Sequence, residues 1–300
     1  MRLAITGATG FVGKRLVTLA LEAGHAVNAL TRRPRPGGDG VNWVFGSLEA
    51  PNALVSLMRG ADAVIHVAGV VNAPDRPGFV LGNIDGTRNV LVAAEAARVR
   101  RFVHVSSLAA REPGLSTYGW SKCAAEGLVI GSLTDWDIVR PPAVYGPGDM
   151  DQLDLFRIAR WGVALLPPGG RMSVIHVDDL CRLLIALAER PAERTIHEPD
   201  DARSGGWSHA EFAQAIGAAV GRRVRPIALP RRVLDVGAKV DALWRGRGAK
   251  LTPDRVSYFC HPDWVSDPMR RPPTALWQPR IDTAAGLAQT AAWYRAQALL

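Results

Sequence analysis

Tyr118 and Lys122 stand four residues apart in STYGWSKCAAEG, so a helix there carries both on one face. A tyrosine hydroxyl ordinarily ionises near pH 10, and a neighbouring ammonium favours its phenolate. Each tenfold change in acidity corresponds to about 1.4 kcal/mol, so making the tyrosine a hundred to a thousand times more acidic takes roughly 3 to 4 kcal/mol of electrostatic help. Such a pair is suited to giving or taking a proton at a substrate oxygen. Ser106 and Ser107 close the strand-like run RFVHVSS just before it, and either supplies a hydroxyl for the same oxygen.

A second chemical signal opens the chain. In RLAITGATGFVGKRLVTLALEAG a short apolar run leads into Gly7, Gly10 and Gly13, after which Leu16, Leu19, Ala20 and Ala23 recur at helical spacing. Strand, glycine turn and helix in that order form a pyrophosphate cradle: the glycines let the backbone turn and approach closely, and the helix N-terminus faces the charge. The next strand, within HAVNALTRRPRP, ends in Thr31, Arg32 and Arg33, with no acid from Asn28 to Gly38. A carboxylate there would suit a ribose 2′-hydroxyl, whereas a basic side chain suits a 2′-phosphate. NADP is therefore expected, read through Arg32, with NAD the alternative.

These residues need a scaffold, and the pattern supplies one. VNWVF, ADAVIHVAG, DGTRNVLVAAEAARV, RFVHVSS, the helix around Tyr118 and WDIVRPPAVYG alternate strand and helix. Repeated βα units imply an α/β, Rossmann-like, doubly wound parallel sheet with its ligand at the carboxyl ends of the strands. A chain of 300 residues, 48% hydrophobic and 21% charged, buries a sizeable core. The expected division is a dinucleotide-binding domain over 1–195, with 145–171 partly in the substrate lobe, and a smaller C-terminal substrate lobe over 196–300. Cys123, Cys181 and Cys260 stand apart with no zinc-like spacing, so no metal is expected. The strand beginning at Arg2 leaves no room for a signal peptide, and no apolar run reaches 18 residues, so the expected location is cytoplasmic with at most peripheral membrane contact.

Several spaced motifs agree in one resemblance. In TGATGFVG, ADAVIHVAG, NIDGTRNV, VSS, YGWSK and RPPAVYGPGD the chain resembles the extended short-chain dehydrogenase/reductase superfamily, over more than half its length. The resemblance implies that Tyr118 handles the substrate proton. Lys122 lowers its pKa and holds the nicotinamide ribose, Ser107 orients the carbonyl, and Asn83 matches the asparagine of the NxxGT motif, for which a helix start is the competing role. It also implies cofactor contacts at Gly7, Thr9, Gly10, Phe11, Val12 and Gly13, at Ser47 and Leu48, at Ala68 and Gly69, and at Pro141 and Val144. Ser47 stands where many members carry Asp. Only 11 positions separate Ser107 from Tyr118, shorter than the corresponding loop of typical sugar-nucleotide epimerases.

Substrate choice falls to the C-terminal part. Nine basic residues from Arg222 to Lys250 face only Asp235 and Asp241, nearly all of the chain's net charge of +8. Within PRRVLDVGAKVDALWRGRGAK, at 230–250, a helix places Val233, Val236, Val240, Leu243 and Trp244 on one face and Arg231, Arg232, Lys239 and Arg245 largely elsewhere. That pattern suits an anionic bilayer surface or packing on the core. Nucleic acid is not expected, because the aromatics are not interleaved as stacking platforms. Trp264, Trp277 and Trp293, with Tyr258 and Phe259, suit a lipophilic ligand or an interface. The C-terminal region also resembles bacterial reductases of sphingolipid synthesis, which implies reduction of the 3-oxo group of a ketosphinganine or oxidised ceramide. A sugar-nucleotide epimerase or dehydratase and a non-catalytic cofactor-binding scaffold are the rival readings.

Overall fold

The structure, a computed structural model, describes residues 1–38, 40–246 and 251–300. It divides into two compact units: Met1–Pro141 with Leu180–Glu198 and Pro272–Gln278, and Pro142–Asp179 with Pro199–Arg271 and Pro279–Leu300.

The first unit is built on β1 (Arg2–Thr6), β2 (Ala26–Thr31), β3 (Val41–Phe45), β4 (Ala63–His66), β5 (Arg101–Val105) and β6 (Asp135–Val139). With the short strand Ile196–His197 they form a seven-stranded sheet in the order 196–197, β6, β5, β4, β1, β2, β3, every pair parallel. The order reverses between β1 and β4, the place where such sheets open to take a ligand. Its helices are α1 (Phe11–Glu22), α2 (Pro51–Met58), α3 (Arg76–Phe79), α4 (Gly86–Ala96) and α5 (Thr117–Ile130), followed by the helix Val177–Ala188. Ala4, Val64, Phe102 and Ile138 share one core with Leu54, Leu57, Val90, Leu91 and Val129 of α2, α4 and α5. The alternate residues Leu3, Ile5, Ile65 and Val103 are equally buried, so both faces of the sheet are covered. That explains why these strands read as continuous apolar runs.

One buried ion pair ties the far edge of the sheet together. Arg101 donates to Asp137 Oδ2 at 2.6 Å, to the Leu187 carbonyl through Nε and Nη2, and to the Asp135 carbonyl through Nη1. The second oxygen of Asp137 accepts from the Thr195 amide at 3.1 Å. A single guanidinium thus joins β5, β6 and the last turn of the helix Val177–Ala188.

The second unit contains β7 (Ala143–Tyr145), α6 (Leu153–Ala159), β8 (Val163–Leu166), α7 (Val177–Ala188, its first residues), α8 (His209–Ala219), α9 (Arg231–Arg245), α10 (Pro253–Phe259) and α11 (Thr283–Ala296). Its core joins Tyr145, Leu153, Phe156, Val174, Phe212, Ile216, Leu287 and Tyr294. β7 runs parallel to Val174–His176, and β8 runs parallel to Arg225–Ala228. The amphipathic segment forms α9, but its apolar stripe does not pack on the core. Val233, Val236 and Val240 are 50%, 60% and 53% exposed, and Leu243 and Trp244 87% and 88%. The face that packs is the small one. Ala238 is buried, and next to it Arg231 donates to Ser257 and Asp241 accepts from the Leu251 amide. Arg247 and Lys250 of the basic segment lie outside the described residues.

Removing one partner of a buried, hydrogen-bonded ion pair costs about 3 to 5 kcal/mol, whereas replacing both by apolar groups is often neutral. Arg101→Met should therefore lower the unfolding free energy by about 3 kcal/mol, and adding Asp137→Leu should recover part of it. Denaturant titration of the two variants checks this, and an unchanged midpoint in Arg101→Met would contradict it.

Candidate active site

Thr6, His66 and His104 occupy one rung across β1, β4 and β5, on the face that α4 and α5 cover. This polar rung lies beyond Ala4, Val64 and Phe102, toward the carboxyl ends of the strands. His66 and His104 are fully buried with ring centroids 5.4 Å apart. Burial, reinforced by the charge on Lys122, holds His66 down at about 3 and His104 well below the usual imidazole range. Both rings are neutral at physiological pH.

Neutrality gives the hydrogen bonds around His66 a direction. Thr87 gives its hydroxyl proton to the Asn83 carbonyl at 2.6 Å, so Thr87 Oγ1 must accept from His66 Nε2, 3.0 Å away. His66 Nδ1 is then the unprotonated nitrogen and accepts from Thr6 Oγ1 at 2.7 Å. Thr6 in turn accepts from the Ala68 amide at 3.2 Å. The chain of bonds runs from the loop after β4, through β1 and β4, into the helical segment that carries Asn83.

That segment explains the placement of Asn83. α3 continues through a six-residue π-helical stretch, Val80–Asp85, into α4. Asn83 therefore sits within a helical run and does not start a helix. Its Oδ1 accepts from the Val70 amide at 2.7 Å, and its Nδ2 donates to the Val70 carbonyl at 3.0 Å and to Ser121 Oγ at 2.8 Å. Ser121 passes its own proton to the Tyr118 carbonyl at 2.8 Å. Asn83 so braces the loop after β4 against the first turn of α5.

α5 begins at a serine cap: Ser116 accepts from the Gly119 amide at 2.9 Å. Tyr118 is half-buried in the first turn, its ring 6.3 Å from that of Phe79. Lys122, one turn on, is 4% exposed and donates to the Val105 carbonyl at 2.8 Å. Burial pulls its pKa down to about 8, with Glu126, a further turn along, acting in the opposite direction. Glu126 accepts from Ser106 Oγ and from Arg140 Nε and Nη2, and Arg140 also reaches Glu198 at 3.3 Å. Burial lowers Arg140, and these two carboxylates more than offset it, so its pKa is raised.

The two serines are thereby distinguished. Ser106 spends its proton on Glu126, whereas Ser107 accepts from the Ala109 amide at 3.2 Å and caps the turn Leu108–Arg111. That turn rests on α5 so closely that a Cβ on Gly119 would meet the Ala109 carbonyl at 2.5 Å.

The glycine cradle is built for close approach. Gly7 has φ +69°, and a Cβ there would lie 2.7 Å from the Ala68 amide; a Cβ on Gly13 would lie 2.0 Å from the Gly7 carbonyl. Gly10 precedes α1 without a side-chain cap, so the first amides of α1 face an open approach. Thr9, Phe11 and Val12 are half-buried around it. A Cβ on Gly69 would meet Asn83 Oδ1 at 2.9 Å and Lys122 Nζ at 3.6 Å, so Gly7, Ala68, Gly69, Asn83 and Lys122 are gathered at the switch point. Leu48 packs against Gly86 at the start of α4, next to Ser47. Arg32 is exposed at the end of β2, where the Thr31 hydroxyl braces the Arg33 backbone. Pro141 is buried at the end of β6 and accepts from the Leu108 amide, while Val144 lies on β7 in the second unit. The uncapped helix end and the glycine cradle fit a dinucleotide pyrophosphate.

Residues 7–153 match a family model described as NAD(P)H-binding. The chain is 38% identical to the ceramide reductase of Caulobacter vibrioides over 98% of this chain and 94% of that one. It is 30% identical to a 4-hydroxy-2-methyl-3-oxo-4-farnesyl-3,4-dihydroquinoline-1-oxide ketoreductase of Stigmatella aurantiaca over 63% of this chain and 65% of that one. Among solved structures, MoeE5 in complex with UDP-glucose and NAD superimposes with a TM-score of 0.76 at 22% identity, covering 99% of both chains. The protein is an NAD(P)-dependent oxidoreductase, and the chain belongs to the extended short-chain dehydrogenase/reductase superfamily.

The sequence pattern alone does not single out Glu126, Arg140, Ser121, Thr87 or His66. Glu126 is the most accessible of these, since it lies four residues after Lys122 on the same helix face.

A lysine whose pKa is near 8 when folded and 10.5 when unfolded makes the unfolded chain bind more protons between those values. Stability contributed through Lys122 therefore rises with pH across that window, by up to about 3 kcal/mol. Chemical denaturation of the cofactor-free protein from neutral to alkaline pH should show this slope, and Lys122→Met should lack it. Parallel curves for the two proteins would contradict the burial of a charged Lys122.

Proposed function

We propose that the protein is an NADPH-dependent reductase of a lipid ketone, the 3-oxo group of a ketosphinganine or an oxidised ceramide in bacterial sphingolipid synthesis. The observation that carries this reading is the 38% identity to a ceramide reductase across 98% of the chain, on a site with the Tyr118–Lys122 pair and the glycine cradle in place. The farnesylated substrate named for the Stigmatella relative supports a lipophilic ketone as the class. The fold is shared with a protein that binds UDP-glucose, which leaves an epimerase as the rival to be tested.

In this reading NADPH supplies a hydride to the carbonyl carbon. Tyr118 gives its proton to the oxygen, so that neither charge develops alone. Lys122, held at the Val105 carbonyl, favours the phenolate left behind and reaches the nicotinamide ribose. Ser107 donates to the same substrate oxygen, a role for which Ser106, committed to Glu126, is poorly placed. Gly7, Gly10 and Gly13 admit the pyrophosphate, with Thr9, Phe11, Val12, Ala68 and Gly69 around it. Ser47 and Leu48 would hold the adenosine, Arg32 would take the 2′-phosphate, and Pro141 would hold the nicotinamide, a role the resemblance also implies for Val144. The exposed stripe of α9, with Arg231, Arg232, Lys239 and Arg245, carries the enzyme to an anionic membrane where the substrate is dissolved. Among the described residues no helix is long and apolar enough to cross that membrane.

With 3-ketosphinganine, long-chain keto-ceramide and UDP-sugars offered separately, NADPH absorbance at 340 nm should fall only with a lipid ketone. Tyr118→Phe should abolish turnover and leave NADPH binding nearly intact, and Arg32→Ala should weaken NADPH far more than NADH. No loss of absorbance with either lipid, alongside turnover of a UDP-sugar, would overturn the proposal in favour of the epimerase.

A further inference from the structure

A second exposed apolar surface in the same unit lies outside α9. Trp161 is 86% exposed two residues after α6, Leu165 of β8 is 49% exposed and Ile227 is 40% exposed. Leu165 and Ile227 are register partners in the parallel pair of β8 with Arg225–Ala228, as are Val163 and Arg225. Alternation along a strand puts these four side chains on one face, while Ala164, between them, is buried in the core. The pair is closed at one end by the Arg225 amide, which donates to the Gly162 carbonyl at 2.9 Å. A Cβ on Gly162 would also lie 3.5 Å from the Arg223 carbonyl, so the residue after Trp161 meets the backbone of Arg223 and Arg225, some sixty positions away in the chain.

The charge around this face is of one sign. Arg160, Arg222, Arg223 and Arg225 are exposed, and none of them pairs with a carboxylate among the described residues. No Asp or Glu occurs from Leu155 to Val177 or from Phe212 to Leu234. An interface with a second copy of this chain would bring these arginines against one another unless carboxylates met them, and the two stretches that form this face carry none. Lipid phosphates meet them directly. Arginine beside exposed tryptophan and aliphatic side chains is the composition of a surface that sits at the headgroup level, with the indole at the boundary.

We infer that Trp161, Leu165 and Ile227, with Arg222, Arg223 and Arg225, form a second contact with an anionic bilayer, additional to α9. The inference rests on the reading that the enzyme works at a membrane. The strand Arg225–Ala228 runs into α9 within three residues, so the arginine and Ile227 part of the second contact is continuous in the chain with the first. Two contacts restrict the tilt of this unit on the bilayer, which a single helix lying on the surface does not.

The test is co-sedimentation of the full-length protein with vesicles of phosphatidylglycerol and phosphatidylcholine in equal parts, and with phosphatidylcholine alone. Replacing Arg222, Arg223 and Arg225 by Gln should lower partitioning onto the anionic vesicles by about 100-fold at low salt, from about fivefold per basic residue. Trp161→Ser should lower it several-fold, and Leu243→Ser/Trp244→Ser should weaken it independently. Wild-type partitioning in both the Arg222/Arg223/Arg225 variant and Trp161→Ser would overturn the inference, as would a shift from dimer to monomer in those variants with vesicle binding unchanged. A water-soluble short-chain ketone analogue, assayed without vesicles, should be reduced by every variant at the wild-type rate. If wild type fails to reduce it or any lipid ketone, the substrate reading fails while the vesicle result still decides the surface.

Discussion

A protonated lysine has to be held at the carboxyl end of β5 almost without water, and much of the first unit follows from that requirement. Lys122 has one described hydrogen-bond partner, the Val105 carbonyl, and burial works against its charge. Glu126, one turn along α5, offsets part of that cost. A buried carboxylate needs partners of its own, which Ser106 and Arg140 provide, and Arg140 is balanced in turn by Glu198. Ser106 is thus drawn into holding the charge of the site, and Ser107 is left as the serine at its rim. The two histidines beneath Lys122 add no competing positive charge, because burial keeps both neutral.

A second consequence concerns rigidity. Neutral His66 can take only one tautomer between Thr6 and Thr87, so the last rung of the sheet is locked to the carbonyl of Asn83. The π-helical stretch sets Asn83 where its amide reaches both Val70 and Ser121. Through Ser121 the loop after β4 is tied to the carbonyl of Tyr118. Groups at the switch point are thus held by hydrogen bonds within the chain, which is how a site keeps its geometry without ligand.

The fold was legible because its strands are buried on both faces and its glycines mark the turns. Gly7 and Gly13 occupy positions where a side chain would collide with backbone, and Tyr118 and Lys122 share a helix face as their spacing requires. The supporting network was much less legible. Its members come from β1, β4, β5, α4, α5 and the residue after β6, and only the parallel register brings Thr6, His66 and His104 into one row. α9 was legible as an amphipathic helix but not in its orientation, since hydrophobic periodicity says which residues share a face and not whether that face is covered. The packed face is made by Gly237 and Ala238 with the half-buried Leu234, and small residues leave little signal in such a pattern.

The proposed catalysis in the first unit and the proposed membrane contact in the second make one account if the substrate is a lipid ketone reduced at the expense of the cofactor. An epimerase with the same tyrosine and lysine returns its hydride and consumes nothing. The most direct measurement is single turnover with NADPH deuterated at the transferable C4 position and 3-ketosphinganine or keto-ceramide. The account predicts one deuterium at the new carbinol carbon and an equal amount of NADP⁺. Deuterium that remains on the cofactor, with no carbinol formed, would contradict it.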